Sequence, residues 1–190
     1  EPRLHAAGEE REAALLQLEK EGVLPGRRIV GLAPGAAFGP AKRWPPERFA
    51  AAADRAADAW DAAVLVLGSE GDRESCRAVS SAMRRRPLDL CGRTGLGRAV
   101  ALIASCDLFL TNDSGLMHVA SALDVPTVAV FGSTDPAATG PLGPRSRVVR
   151  NPVPCAPCLR PVCPEDYRCL TGVSVDDVWG EMRGLMEDAV

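Results

Sequence analysis

The chain has 190 residues, and 22 Lys and Arg against 25 Asp and Glu give it a net charge of −3. This length suits one compact domain. The basic residues are dispersed except for three consecutive arginines at 84–86, and aromatic residues make up only 4% of the chain. Nucleic-acid-binding proteins need a basic footprint or stacking side chains, so we expect no nucleic-acid partner. We interpret 84–86 as the solvated end of a helix.

The chain also lacks the signals of a membrane or secreted protein. Its longest apolar runs, at 62–67 and 127–131, are far shorter than the roughly 20 residues that a membrane helix needs. The start, Glu1-Pro2-Arg3, has neither a methionine nor the pattern of a signal peptide. We therefore expect a soluble chain that is a fragment or a processed form.

Helical and strand-like segments alternate along most of the chain. The first is an amphipathic pattern at 9–21, which predicts a helix with Leu15, Leu16 and Leu18 on its apolar side. Apolar runs then predict strands at 28–33, 63–67, 88–90, 108–111 and 127–131. Helices are predicted between them at 47–60, 72–85, 96–105 and 115–123. Short apolar strands separated by helices indicate a doubly wound, Rossmann-like α/β domain with a parallel sheet covered on both faces.

Beyond residue 140 the pattern becomes irregular. A Cys- and Pro-rich loop occupies 151–170, and a C-terminal helix is predicted at 174–187, where Ser174 and Asp177 have the spacing of a capping box. We expect the whole chain, 1–190, to form one domain.

One turn carries the strongest binding signal. Ligands of doubly wound sheets bind at the carboxyl ends of the strands. After the strand at 108–111, Ser114 and Gly115 open a helix whose N–H groups and dipole favour an anion, and His118 lies one turn further on the same face. We predict a diphosphate site there. Asp113 either caps this helix or binds sugar hydroxyls.

Two further charged residues follow strand ends. Lys42, one of two lysines in the chain, lies in a loop of small residues and offers a point charge suited to phosphate. The alternative is a solvated lysine on a surface loop. Glu70 follows the strand at 63–67 and either accepts hydrogen bonds from a ribose or is only solvated.

Three motifs together resemble a known family. They are PGAAFGPAKRWP at 34–45, LGSE at 67–70 and TNDSGLMHVA at 111–120. Through these motifs, the chain from about Arg28 to the C-terminus resembles the lipopolysaccharide heptosyltransferases of glycosyltransferase family 9, and it is most like the type II enzymes. The resemblance implies the C-terminal half of a GT-B enzyme that transfers heptose from ADP-heptose to the lipopolysaccharide inner core. It also implies action at the cytoplasmic face of the inner membrane, with no cofactor required for catalysis.

The resemblance assigns roles to residues of the motifs. Lys42 matches the family's phosphate-contacting lysine, and Glu70 matches a ribose-contacting acid. The remaining matches form the donor-binding turn: Asp113, Ser114, Gly115 and His118. Where some relatives carry hydroxyl residues in the first loop, this chain has small or aromatic ones, namely Ala36, Ala37 and Phe38.

The chain departs from the family in length. Family members have a further N-terminal domain that provides the acceptor site and the general base, and we expect that domain to be absent here. No catalytic residue is therefore expected in this chain, which alone would be inactive. The lipopolysaccharide acceptor and any peripheral membrane association would involve the missing domain. The alternatives are a domain of another GT-B nucleotide-sugar transferase and a non-catalytic nucleotide- or metal-binding module.

Four of the seven cysteines form a cluster in sequence. Cys155, Cys158, Cys163 and Cys169 have the spacing C-x2-C-x4-C-x5-C. This spacing fits a tetrahedral zinc site, an iron–sulfur site or two disulfides. The cytoplasmic function that the resemblance implies disfavours disulfides and so favours the two metal alternatives, of which a structural zinc is the candidate for these four cysteines. The other three, Cys76, Cys91 and Cys106, are interpreted as core residues.

Overall fold

The computed structural model describes residues 3–188, and a parallel sheet forms its centre. The strands are β1 (Ile29–Ala33), β2 (Ala63–Val66), β3 (Leu88–Asp89), β4 (Leu108–Asn112), β5 (Thr127–Phe131) and β6 (Ser146–Arg150). Their order is β3-β2-β1-β4-β5-β6, and all neighbouring pairs are parallel. This is the strand order of a doubly wound nucleotide-binding sheet. The predicted fold class is confirmed.

Helices connect the strands and cover both faces of the sheet. They are α1 (Gly8–Lys20), α2 (Pro46–Trp60), α3 (Arg73–Ala82), α4 (Leu96–Ile103), α5 (Gly115–Ala122), α6 (Pro136–Thr139), α7 (Arg168–Thr171) and α8 (Val175–Glu187). One-turn 3₁₀ helices, Pro40–Lys42 and Glu70–Asp72, follow β1 and β2. Among the helices of residues 3–188, none has the length and apolar character to cross a bilayer.

Alternate strand positions build two separate cores, one on each face of the sheet. Leu32 and Leu110 pack with α2 and α8 on one face, whereas Leu65 and Phe109 pack with α1 and α4 on the other. All residues of β1, β2, β4 and β5 are buried. Because both faces are covered, these strands appear in the sequence as continuous apolar runs.

The strand β6 was not predicted, because residues beyond 140 were expected to be irregular. Its sequence, Ser-Arg-Val-Val-Arg, contains two charges, and Val148 is 37% exposed. β6 is an edge strand that pairs with β5 alone within the described chain, so it has no continuous apolar run for sequence analysis to detect. The short helices α6 and α7 were missed for the same lack of a long periodic pattern.

Two details of the helix predictions are wrong. On α1, Ala14 and Leu18 are buried one turn apart, whereas Leu15 and Leu16 are exposed. In addition, α3 ends at Ala82, so residues 84–86 follow the helix and do not form its end. Two of these arginines instead form ion pairs with carboxylates on α2. The predictions for the chain start concern in part residues 1–2, which lie outside the described residues.

Candidate functional site

A cavity of about 400 Å³ opens at the carboxyl ends of β1, β2 and β4. The loops after β1 and β2 form one side, and the start of α5 forms another. Between β1 and β4 the chain changes direction across the sheet, and such switch points are where doubly wound folds bind ligands. Leu67, Leu96, Ala99 and Val119 give the cavity an apolar wall, while Ser114 and Gly115 contribute a polar end.

The polar end of the cavity is the N-terminus of α5. Ser114 is the N-cap residue, but its side chain does not cap the helix and instead lies 3.1 Å from Thr111 Oγ1. The first N–H groups of a helix have no acceptors within the helix. Gly115 is exposed, and a Cβ added there would meet no atom within 4 Å. The helix N-terminus is therefore open to an anion.

Lys42 is held beside this helix start by a buried carboxylate. Its Nζ lies 2.7 Å from Asp113 Oδ2 and 5.0 Å from the centre of the Phe38 ring. The Lys42 side chain is 13% exposed and that of Asp113 is 4% exposed. Thr134 and Thr139 donate hydroxyl hydrogen bonds to the same Asp113 oxygen at 2.6 and 3.2 Å. Asp113 thus positions Lys42. The sequence had indicated only that Asp113 caps the helix or binds sugar hydroxyls.

The neighbouring residue, Asn112, holds the rest of the Lys42 loop. Asn112 is fully buried; its Oδ1 accepts the Trp44 backbone N–H at 3.0 Å and its Nδ2 donates to the Pro34 carbonyl at 2.8 Å. The indole N–H of Trp44 donates to the Val173 carbonyl at 3.1 Å. Sequence analysis quoted Asn112 only as part of a motif. A polar residue at the end of an apolar strand was the available signal for its role.

The acid that lines the cavity is Asp72, which sequence analysis missed. Asp72 Oδ2 accepts hydrogen bonds from the backbone and hydroxyl of Ser69 at 2.9 and 2.6 Å, forming a capping box. Gly35 packs against Asp72 so closely that an added Cβ would lie 2.1 Å from Oδ1. The S-x-x-D spacing was a signal available in the sequence.

Glu70 lies beside the cavity and is not among the residues that line it. Its carboxylate is exposed and forms a hydrogen-bonded ion pair with Arg73. This hydrogen bond lowers the pKa of Glu70 below its ordinary value, so the carboxylate stays ionised to lower pH.

His118 is exposed on the second turn of α5 and also lies outside the lining. Of the six predicted donor-site residues, Ser114 and Gly115 line the cavity, whereas Lys42 and Asp113 form their ion pair outside its lining, with Asp113 next in the chain to the helix start. Glu70 and His118 lie at the periphery.

The Cys- and Pro-rich segment supports the Lys42 loop from outside. The Ala41 N–H donates to the Pro161 carbonyl at 3.0 Å, and the Ala41 carbonyl accepts the Ser133 N–H at 3.1 Å. Leu159 donates in turn to the Ser133 carbonyl at 2.9 Å. Gly39 has a φ of 141°, and an added Cβ would lie 2.5 Å from the Pro161 oxygen. Only glycine suits this close approach.

The four clustered cysteines lie in and next to this segment as free thiols. Burial raises the pKa of Cys169, and the charges of Cys163, Cys155 and Cys158 raise it further. The Glu165 N–H donates to Cys163 Sγ at 3.4 Å. Within residues 3–188, however, no three His, Cys, Asp or Glu side chains are arranged to hold a metal ion. As placed, the four thiols do not form the predicted zinc ligand set.

The cavity, the open helix start and the fixed ammonium have complementary chemistry. An apolar cavity accepts a base, and a helix N-terminus with a nearby Lys accepts a diphosphate. The fold and site define an α/β domain of the nucleotide-binding type.

Comparison with known proteins identifies the family. The model of glycosyltransferase family 9 (heptosyltransferase) matches residues 1–168. The chain belongs to this family.

The similar proteins are heptosyltransferases. The chain is 44% identical to lipopolysaccharide heptosyltransferase 2 of Escherichia coli K12 over 128 residues, which are 65% of this chain and 36% of that protein. It is 39% identical to lipooligosaccharide heptosyltransferase 2 of Haemophilus influenzae over 154 residues, 78% of this chain and 44% of that protein. The structure of E. coli ADP-heptose lps heptosyltransferase II superimposes with a TM-score of 0.85 at 33% identity, over 99% of this chain and 54% of that one. The chain therefore spans about half the length of the relatives it matches.

The ion pair between Lys42 and Asp113 predicts a specific pattern of stability. Lys42→Met leaves a charged Asp113 buried without its partner, and we expect the free energy of unfolding to fall by about 3 kcal/mol in urea denaturation. Lys20→Met changes the other lysine, which is exposed on α1, and should alter stability by no more than about 0.5 kcal/mol. The double variant Lys42→Met/Asp113→Asn removes both charges and should regain at least half of the loss. Equal effects of the two lysine substitutions would contradict a buried ion pair.

Proposed function

We propose that this chain is the donor-binding half of a heptosyltransferase that transfers heptose from ADP-heptose to the lipopolysaccharide inner core. Membership of glycosyltransferase family 9 and the similarity to an ADP-heptose lps heptosyltransferase support the proposal. The observation that carries it is the fixed position of Lys42 Nζ, held by Asp113 directly before the open N-terminus of α5. This arrangement supplies two sources of positive charge for one diphosphate.

In the proposed complex the nucleoside occupies the 400 Å³ cavity and the diphosphate lies at Ser114 and Gly115. Glu70, at the periphery, accepts a hydrogen bond from the ribose; Arg73 keeps its pKa low, so it remains an acceptor across the neutral range. His118, one turn beyond Ser114 and exposed, reaches the sugar side of the donor.

The role proposed for these residues in the reaction is to stabilise the leaving group. Breaking the bond between heptose and diphosphate places negative charge on the departing ADP, which Lys42 and the dipole of α5 stabilise. A general base must also deprotonate the acceptor hydroxyl. We assign that base and the acceptor site to a second domain outside residues 1–190, and we propose that no metal is needed for catalysis. The proposed setting is the cytoplasmic face of the inner membrane, with peripheral association.

Nucleotide binding tests this proposal directly. We expect ADP to bind the wild-type chain in isothermal titration calorimetry and Lys42→Met to weaken the affinity at least about tenfold, because a charge-assisted hydrogen bond to phosphate is lost. Lys20→Met, with the same loss of charge on an exposed helix, should leave the affinity unchanged. Circular dichroism at the assay temperature checks that each variant is folded.

The choice of nucleotide separates the proposal from its alternatives. ADP should bind more tightly than UDP or GDP. Tighter binding of UDP or GDP would instead indicate another nucleotide-sugar transferase of the same fold. Binding of none of the three would overturn the donor-site assignment.

The zinc site at Cys155, Cys158, Cys163 and Cys169 also remains a proposal. Its support is the spacing of four thiols within fifteen residues of one irregular segment, together with an N–H···S hydrogen bond of a kind that stabilises thiolate ligands. Because the thiols are not gathered into a ligand set, binding would require the segment to close around the ion.

Elemental analysis tests the zinc proposal. We expect about one zinc ion per chain, lost in the double variant Cys158→Ser/Cys163→Ser. Cys106→Ser, which changes a buried thiol outside the segment, is the matched control and should keep its zinc. Metal-free wild-type protein, purified without chelator from zinc-containing medium, would rule the site out.

A further inference from the structure

A cleft of about 800 Å³ lies around the edge strand β3. It has no lining residue in common with the donor cavity. Six arginines line it: Arg27, Arg73, Arg77, Arg85, Arg86 and Arg93. We call this feature the edge cleft.

Arginine is the most frequent residue in the lining of the edge cleft, although the chain has a net charge of −3. Glu21 and Asp89 are the acidic residues in its lining, and the carboxylates of Asp58, Asp61 and Glu70, which are not lining residues, form ion pairs with three of the arginines. Asp89 is already used by the protein itself, because its carboxylate accepts the Cys91 N–H at 3.0 Å and the Ser80 hydroxyl at 3.5 Å. The lining therefore carries more arginines than carboxylates, although four of the six arginines form ion pairs.

Several of the guanidinium groups are available to a ligand. Arg77 and Arg86 are exposed and have no ion-pair partner among residues 3–188. Arg27, Arg73, Arg85 and Arg93 have carboxylate partners, and the side chains of these partners are 33–84% exposed. Exposed ion pairs contribute little stability, so a ligand of higher charge can displace them at small cost.

The geometry of the cleft indicates what kind of anion it accepts. A concave space of this size is typical of small-ligand sites. Guanidinium groups bind phosphate oxygens in pairs, and a phosphate carries more charge and more acceptor oxygens than a carboxylate. Because the arginines come from α3, the loops before and after β3 and the loop before β1, they surround the space from several directions.

We propose that the edge cleft is a second anion site, separate from the donor cavity, that binds the phosphate groups of a phosphorylated small molecule. Arg77 and Arg86 make the primary contacts, and Arg27, Arg85 and Arg93 reorient towards the ligand, while Arg73 stays paired with Glu70. The phosphate of a lipid headgroup presents the same chemistry, and the test below separates the two sources.

Inorganic triphosphate is the probe for this site. With the donor cavity saturated by ADP, we expect triphosphate to bind the wild-type chain in calorimetry and to bind Arg77→Gln/Arg86→Gln at least about tenfold more weakly. The control Arg150→Gln/Arg183→Gln removes the same charge from exposed arginines of β6 and α8 that have no ion-pair partner among residues 3–188, and should bind like wild type. ADP affinity should be the same in both double variants, which shows that the donor cavity is intact.

Vesicles of phosphatidylglycerol, with phosphatidylcholine vesicles as the neutral reference, distinguish the sources of phosphate. One outcome would overturn the small-molecule ligand and assign the cleft to a lipid headgroup. In it, the wild type binds the phosphatidylglycerol vesicles but not triphosphate, and Arg77→Gln/Arg86→Gln abolishes the vesicle binding. Equal losses in the two double variants would overturn the site, because general charge would then explain binding. The site would also be overturned if Arg77→Gln/Arg86→Gln bound triphosphate as tightly as the wild type, or if the wild type bound neither triphosphate nor the vesicles.

Discussion

The candidate site depends on two consecutive residues where β4 ends. A parallel sheet places the carboxyl ends of β1 and β4 side by side, so residues that follow one strand can hold the loop that follows the other. Asn112 binds that loop through the backbone at Pro34 and Trp44, and Asp113 binds it through the ammonium of Lys42. Both side chains are buried, so replacing either one alone leaves polar groups without partners.

The same carboxylate also connects a third loop. Thr134 and Thr139, which follow β5, donate to the Asp113 oxygen that Lys42 contacts. One oxygen therefore fixes the relative positions of loops after β1, β4 and β5. This arrangement has an electrostatic cost, since the negative charge of Asp113 offsets part of the attraction between Lys42 and an anion. The open N-terminus of α5 supplies positive potential that does not depend on this pair.

Sequence patterns predicted those strands and turns that are determined by neighbouring residues in the chain. β1, β2, β4 and β5 were recognisable because both faces of the sheet are covered, and the helix start at Ser114 and Gly115 was recognisable from its place after a strand. β6 was not, because an edge strand has no continuous apolar run. The contact between Lys42 and Asp113 joins distant parts of the chain, and only the strand order brings them together.

The distribution of charge in the edge cleft also depends on contacts between distant parts of the chain, so it could not be predicted from the sequence. Arg27, Arg77 and Arg93 are dispersed in the sequence, and the three arginines at 84–86 were interpreted as the solvated end of a helix, so the sequence predicted no basic patch. Folding places β3 at the edge of the sheet and gathers arginines from four segments around it. The negative net charge of the chain concealed this local excess.

The proposed function requires that the start of α5 and the ammonium of Lys42 together hold the diphosphate of a nucleotide. A crystal structure of the chain with ADP tests it most directly. We expect diphosphate oxygens within hydrogen-bond distance of the Gly115 N–H and of Lys42 Nζ, with the adenine in the cavity beside Leu96 and Val119. ADP bound in the edge cleft, or with its diphosphate away from α5, would contradict the account.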